Sequence, residues 1–212
     1  MKKILSLFTA LAIIAAGSYM FFEPQIMDAA YDEVSVSQAV TGEISITQPG
    51  DVTMLPAIAA MTGGTGTGTS TWTVTTTQST GYNLQLTAST SPALKNGATD
   101  SFADYTPTAP TVPDYAWSVG ASAAEFGYTV EGTDTATLFK DNGSTACNTG
   151  STLGSYTCWL NASTTVVTIA TKGSSAVGGD ATSVGYRAEA KSGSNKISGT
   201  YTATIGATAT VQ

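Results

Sequence analysis

Thr71–Ala88 reads TWTVTTTQSTGYNLQLTA. Trp72, Val74 and Thr76 fall on one side of an extended chain, and Tyr82, Leu84, Leu86 and Ala88 alternate in the same way after a short break. Apolar residues recurring at every second position mark a strand with one buried face. Gln78-Ser79-Thr80-Gly81 lies between the two runs, and its glycine can take the positive φ that a tight reversal needs. The stretch therefore predicts a β-hairpin with Trp72, Val74, Tyr82, Leu84 and Leu86 in the core and Thr, Gln and Asn in water. A lone hairpin is at best marginally stable, so a second layer has to cover that apolar face.

Composition points the same way. The 212 residues include 38 Thr, 22 Ser and 22 Gly, and only 11% are charged. Threonine suits a pleated, half-exposed surface because its branched Cβ restricts χ1. A disordered Ser/Thr stalk is the alternative, but a stalk needs no regular alternation of Trp, Tyr, Leu, Val and Ile. The expected fold is all-β: a single antiparallel sandwich, Ig-like or jelly-roll-like, of about 8–10 short strands over residues 31–212, preceded by an N-terminal hydrophobic export helix.

Residues 1–30 have the layout of a secretory signal peptide. Lys2 and Lys3 form a basic start, Ile4–Ala16 is almost wholly apolar, and small residues follow at Ala15–Ser18 and Ala29-Ala30. Cutting near Ser18 leaves Tyr19–Phe22 on the product; cutting after Ala30 puts Asp28 at the −3 position. The apolar run to Phe22 is ~19 residues, near the length that spans a bilayer, so an uncleaved membrane anchor is the alternative. Beyond residue 30 remain 6 basic and 13 acidic residues. That balance opposes binding to nucleic-acid phosphates, which needs clustered Lys and Arg, and provides no attraction to anionic lipid.

Further along the chain, Tyr31–Thr47 predicts one or two strands and Val52–Met61 an extended edge segment, with a short helix at Ala57–Met61 as the second choice. Gly63–Gly68, GGTGTG, predicts a flexible loop. No lysine follows its glycines and no helix comes next, so the phosphate-binding fingerprints fail. Ser89–Asp114 carries Pro92, Pro107, Pro110 and Pro113 and predicts a long crossover, with a Pro-rich loop at 104–114. Strands are expected at Tyr115–Val119, Phe126–Val130, Ala136–Phe139, Thr164–Thr171 (a central strand), Thr182–Ala190 and Ile197–Val211, and a Gly/Ser loop at Lys172–Asp180.

The chain has no histidine, which removes Ser-His and Cys-His catalysis and most zinc sites. Cys147 and Cys158 are the only cysteines, and an even pair in an exported chain predicts a disulfide. Glu125 and Glu131 flank a strand but read as solvating acids rather than a hydrolytic pair. Asp134, Asp141 and Asp180 lack the spacing of a calcium loop. No catalytic residue, metal or cofactor is expected. Trp72 and Trp117 sit in alternating runs and read as core, whereas Trp159, next to Cys158, is the candidate ligand platform. Asn142-Gly-Ser144 and Asn161-Ala-Ser163 match the glycosylation acceptor pattern, which is short and frequent by chance.

Two stretches carry a family likeness. Gly66-Thr67-Gly68, Trp72-Thr73-Val74 and Gly81-Tyr82-Asn83-Leu84 resemble the strands of WxL-type and related bacterial envelope β-sandwich proteins. Gly199-Thr200-Tyr201-Thr202-Ala203-Thr204-Ile205 resembles the closing strand of the same broad group and of spore-coat-like and fimbrial subunits. The resemblance covers about a fifth of the chain and implies an exported bacterial surface protein without catalysis. Two functions follow as expectations. One is a structural or adhesive cell-surface protein, a candidate pilus or filament subunit. Its partners are the cell envelope or other surface proteins, including its own copies through a terminal strand. The other is a carbohydrate-binding module of the cell surface.

Overall fold

A computed structural model describes residues 34–150 and 153–212. Residues 1–33, with the export segment expected at 1–30, lie outside the described residues. Residues 34–40 belong to a unit spanning Met1–Val40; they hold no regular element, and Val34, Val36 and Val40 are exposed. The second unit, Thr41–Gln212, carries the strands. In chain order these are β1 (Ile44–Thr47), β2 (Gly64–Thr76), β3 (Tyr82–Ala88), β4 (Lys95–Asn96), β5 (Asp100–Ser101), β6 (Ala103–Asp104), β7 (Ala124–Glu131), β8 (Leu160–Asn161), β9 (Val167–Lys172), β10 (Ala176–Ala190) and β11 (Ile205–Val211). Among the described residues no helix is long and apolar enough to cross a membrane.

The fold is all-β. One sheet runs β1-β2-β10-β7-β6, with β8 also pairing β7; a second runs β11-β3-β9; β4 and β5 form a two-residue pair. Every pairing is antiparallel except the short β6–β7 contact. The inner faces meet in one core: Val74 and Val184 from the large sheet and Tyr82, Leu84 and Ile169 from the small one are fully buried. Burial alternates along β3 with period 2, as the sequence pattern requires.

The expected hairpin does not form. β2 pairs with β1 and β10, and β3 with β11 and β9, so the two runs lie in different sheets. Alternation determines which side chains face inward; it says nothing about which backbone edge is met. Residues 77–81 carry the chain from one sheet to the other, across a gap of about 10 Å. Gly81 N–H donates to Gln78 O (3.1 Å), and Gly81 sits at φ +84°. A Cβ there would lie 1.8 Å from Lys172 O, so glycine is needed for both conformation and space.

Gly64–Gly68 is likewise a strand and not a loop. It forms the first five residues of β2, in register with Ala190–Tyr186 of β10. Its glycines serve the inner face. A Cβ on Gly66 would meet Pro56 O at 3.0 Å, and one on Gly68 would meet Val52 Cγ1 at 2.5 Å. The bare backbone makes room for the extended segment 52–58, which is pinned to β2 by paired bonds between Leu55 and Thr67 (2.8 and 2.9 Å).

Other expectations are corrected by what their neighbours do. Tyr115–Val119 is irregular, with Trp117 packed over Gly127 of the large sheet and stacked on Tyr105. Thr137–Phe139 is a single 3-10 turn. β9 is an edge strand rather than a central one; its free side takes only backbone bonds from Ala136 N–H to Ile169 O and from Thr171 N–H to Asp134 O. The loop expected at Lys172–Asp180 ends at Ala176, where β10 begins with a bulge. Among the described residues, only Ile44–Thr47 of the first run and Ile205–Val211 of the last are strands.

Candidate binding cleft

The long strands β2 and β10 outrun the small sheet that covers them. Beyond its end the inner face of the large sheet forms the floor of a cleft of about 870 Å³, walled by residues 48–58 on one side and 196–205 on the other. The floor is set by register. Tyr186 stands opposite Gly68, and Ala188 opposite Gly66, on β2, and segment 52–58 packs over those two glycines. Trp72, Phe102, Phe126, Tyr186 and Tyr201 supply its aromatic side chains, with the Phe126 and Tyr186 rings stacked at 6.2 Å.

Two polar clusters lie along the cleft, one in the floor and one at the rim. Ser70 Oγ and the Tyr186 hydroxyl share a buried hydrogen bond of 3.0 Å. Burial pushes the Tyr186 hydroxyl above the ordinary phenol value, while Ser70 and the Trp72 indole pull it back. The indole Nε1 is fully buried and lies beside that hydroxyl, whose oxygen can accept from it. At the rim, Lys196 Nζ donates to Asp100 Oδ1 (2.8 Å) and Ser101 O (2.7 Å). Ile197 N–H and the Tyr201 hydroxyl donate to the other Asp100 oxygen at 2.8 and 2.5 Å. Burial would raise the Asp100 carboxyl, but these bonds outweigh it and hold the group far below the usual carboxylate range. The cluster ties 196–201 to β5 and fixes one wall.

The remaining candidate residues lie elsewhere. Trp72, Val74, Tyr82, Leu84 and Leu86 are all buried in the shared core. Trp159 is only 3% exposed, so it offers no platform to a ligand. Its Nε1 donates to Tyr156 O (3.0 Å), and Trp117 packs edge-on against it at 5.1 Å. Trp117 itself stacks on Tyr105 at 4.3 Å, donates from Nε1 to Glu189 (2.9 Å) and lies under Arg187 at 5.2 Å. Gly127 makes this possible, since a Cβ there would sit 2.8 Å from Tyr105 Cβ.

Cys147 and Cys158 are bonded, with Cα atoms 5.7 Å apart. Asp141, fully buried, organises the loop they close by accepting from Gly143 N–H (2.7 Å), Gly154 N–H (2.8 Å) and the Thr157 hydroxyl (2.9 Å). Asp134 and Asp180 instead flank Lys172, at 3.5 and 2.5 Å. The three aspartates weighed for calcium thus serve two separate structural clusters. Glu125 and Glu131 occupy opposite ends of β7, about 20 Å apart at the strand rise, beyond the spacing of a hydrolytic pair. They accept from Thr106 N–H (3.2 Å) and Tyr156 N–H (2.8 Å).

Nothing in the sequence pointed to the cleft. The signal that could have found it is the run of alternating small residues, Gly64, Gly66, Gly68 and Ser70, leading into Trp72 on the same face. Comparisons with protein-family models, with curated proteins and with solved structures found no significant match.

Proposed function

We propose that this chain is a non-catalytic, exported cell-surface protein, structural or adhesive, that associates with its own copies through a terminal strand. The observation that carries the reading is the placement of the two terminal strands. β1 and β11 are the outer members of their sheets and lie beside one another, and neither contains a charged residue or a proline. Edge strands normally carry such residues as protection against pairing with another chain. The exposed valines at 34, 36 and 40, alternating with Ser35 and Ser37, provide a strand-forming segment to add there. The disulfide fits an oxidising, extracellular compartment, and the signal-like residues 1–30 supply a route to it.

Sedimentation of the mature protein at rising concentration tests this. Association is expected, and deletion of Tyr31–Val40 should abolish it while leaving a cooperative melt. A protein that stays monomeric at high concentration is not a filament subunit.

A further inference from the structure

We propose that Lys172 and Asp180 are a site of covalent cross-linking, where the lysine amine and the aspartate carboxyl condense to an amide that ties one sheet to the other. This goes beyond self-association and does not depend on it. Register places both groups between the sheets. Lys172 stands opposite Tyr82 in the β3–β9 pair, and Asp180 opposite Val74 in the β2–β10 pair; Tyr82 and Val74 are both fully buried. Residues opposite one another across a ladder share a face, so the amine comes from the small sheet and the carboxyl from the large one. Nζ of Lys172 lies 2.5 Å from Asp180 Oδ2 and 3.5 Å from Asp134 Oδ2.

Three features separate this cluster from a surface ion pair. A β-bulge aims the carboxyl. Ala176 and Asp180 face Thr76 and Val74, so β10 carries extra residues there, and Asp180 rather than Gly178 comes to stand opposite Val74. The bulge depends on Gly179, at φ +80°, where a Cβ would meet Thr73 Cγ2 at 2.9 Å. One amine also faces two carboxylates, which leaves a base beside the pair. Finally, the three side chains are at most 25% exposed and adjoin Tyr82. Burial, with the charges of Asp134 and Asp180, pushes the Tyr82 hydroxyl above the ordinary phenol value.

The bond to Asp180 holds the Lys172 ammonium above its ordinary value, so a base has to take its proton before the nitrogen can react. Asp134 is that base. The freed Nζ lone pair attacks Asp180 Cγ, the N–C bond forms, and one carboxylate oxygen leaves. That oxygen departs as water with two protons from the ammonium, passed through Asp134, and nothing is oxidised or reduced. Two opposite charges become one neutral amide, which avoids the cost of keeping ions out of water. Amine and acid are already in contact, the condition under which effective molarities of about 10⁵–10⁸ M assist intramolecular reactions.

The intact mass of the denatured mature protein tests this against Lys172→Arg, which shares its N-terminus and keeps the positive charge but has no amine to acylate. After the side-chain difference is subtracted, wild type should be lighter by one water, about 18 Da. Fragmentation should place the loss on a peptide in which Lys172 is joined to Asp180, and trypsin should not cut after Lys172. Asp134→Ala, with a cooperative melt, should have its full mass. Full mass in wild type, a water loss mapped to other residues, or a cross-link that still forms in folded Asp134→Ala overturns the proposal.

Discussion

Two residues show how a single side chain sets local structure here. Trp72 is the largest group on the inner face of β2 and touches both the core and the cleft. Trp72→Ala should cost about 3–5 kcal/mol in denaturant melts, as truncation of buried aromatics does; a loss below about 1 kcal/mol would mean the ring is not part of the core. Asp141 is a carboxylate with no exposure. Burial alone would raise its pKa, but the bonds from Gly143, Thr157 and Gly154 outweigh burial and lower it. A folded-state pKa below the unfolded value gives stability that is present above about pH 4, the unfolded aspartate value, and lost as pH falls through the lower folded value. Asp141→Asn should therefore be less stable than wild type at neutral pH, and the difference should shrink on acidification below pH ~4. A constant difference between pH 7 and 2 would show that the carboxylate charge is not what the loop uses.

At the scale of elements, the loop between Cys147 and Cys158 has little apolar surface of its own. Cross-linking over a separation of 11 residues stabilises by about 2–3 kcal/mol in the chain-entropy picture. Labelling under denaturing, non-reducing conditions should find no free thiol, and replacing both cysteines by alanine should lower stability by about that amount. Strand β11 is one of the two edges through which association is proposed. Thr208 is exposed at its middle. Thr208→Lys places a charge on an edge that has none and should shift the mature protein toward monomer with its melt unchanged. Association that persists in this variant would move the contact away from β11.

For the whole molecule, the two sheets form one core whose cover is incomplete. β2 and β10 have 13 and 15 residues, whereas the covering strands β3, β9 and β11 have six or seven. The uncovered length is filled by segment 52–58, by 196–205 and by the cleft between them. Mixed strand lengths of this kind leave an end that irregular chain must close, and such ends are where pockets form.

By itself the sequence determined the class and the faces. The period-2 patterns of Trp72–Thr76 and Tyr82–Ala88 place their apolar side chains in one core whatever their partners, because alternation is a property of the extended backbone. The two cysteines, alone in the chain, left a single pairing. Tertiary structure alone decided three things. It separated β2 from β3 into opposite sheets, since the N–H and C=O groups of a strand edge are the same for every sequence and do not name a partner. It made Gly64–Gly68 a strand, because a glycine tolerates a loop equally well until another segment of the chain, here Val52 and Pro56, needs the space its missing Cβ leaves. It buried Trp159, whose neighbours in sequence are a cysteine and a leucine but whose cover comes from Trp117 and Arg187, distant along the chain. Exposure of a side chain is fixed by what packs on it from elsewhere, and that information is not local.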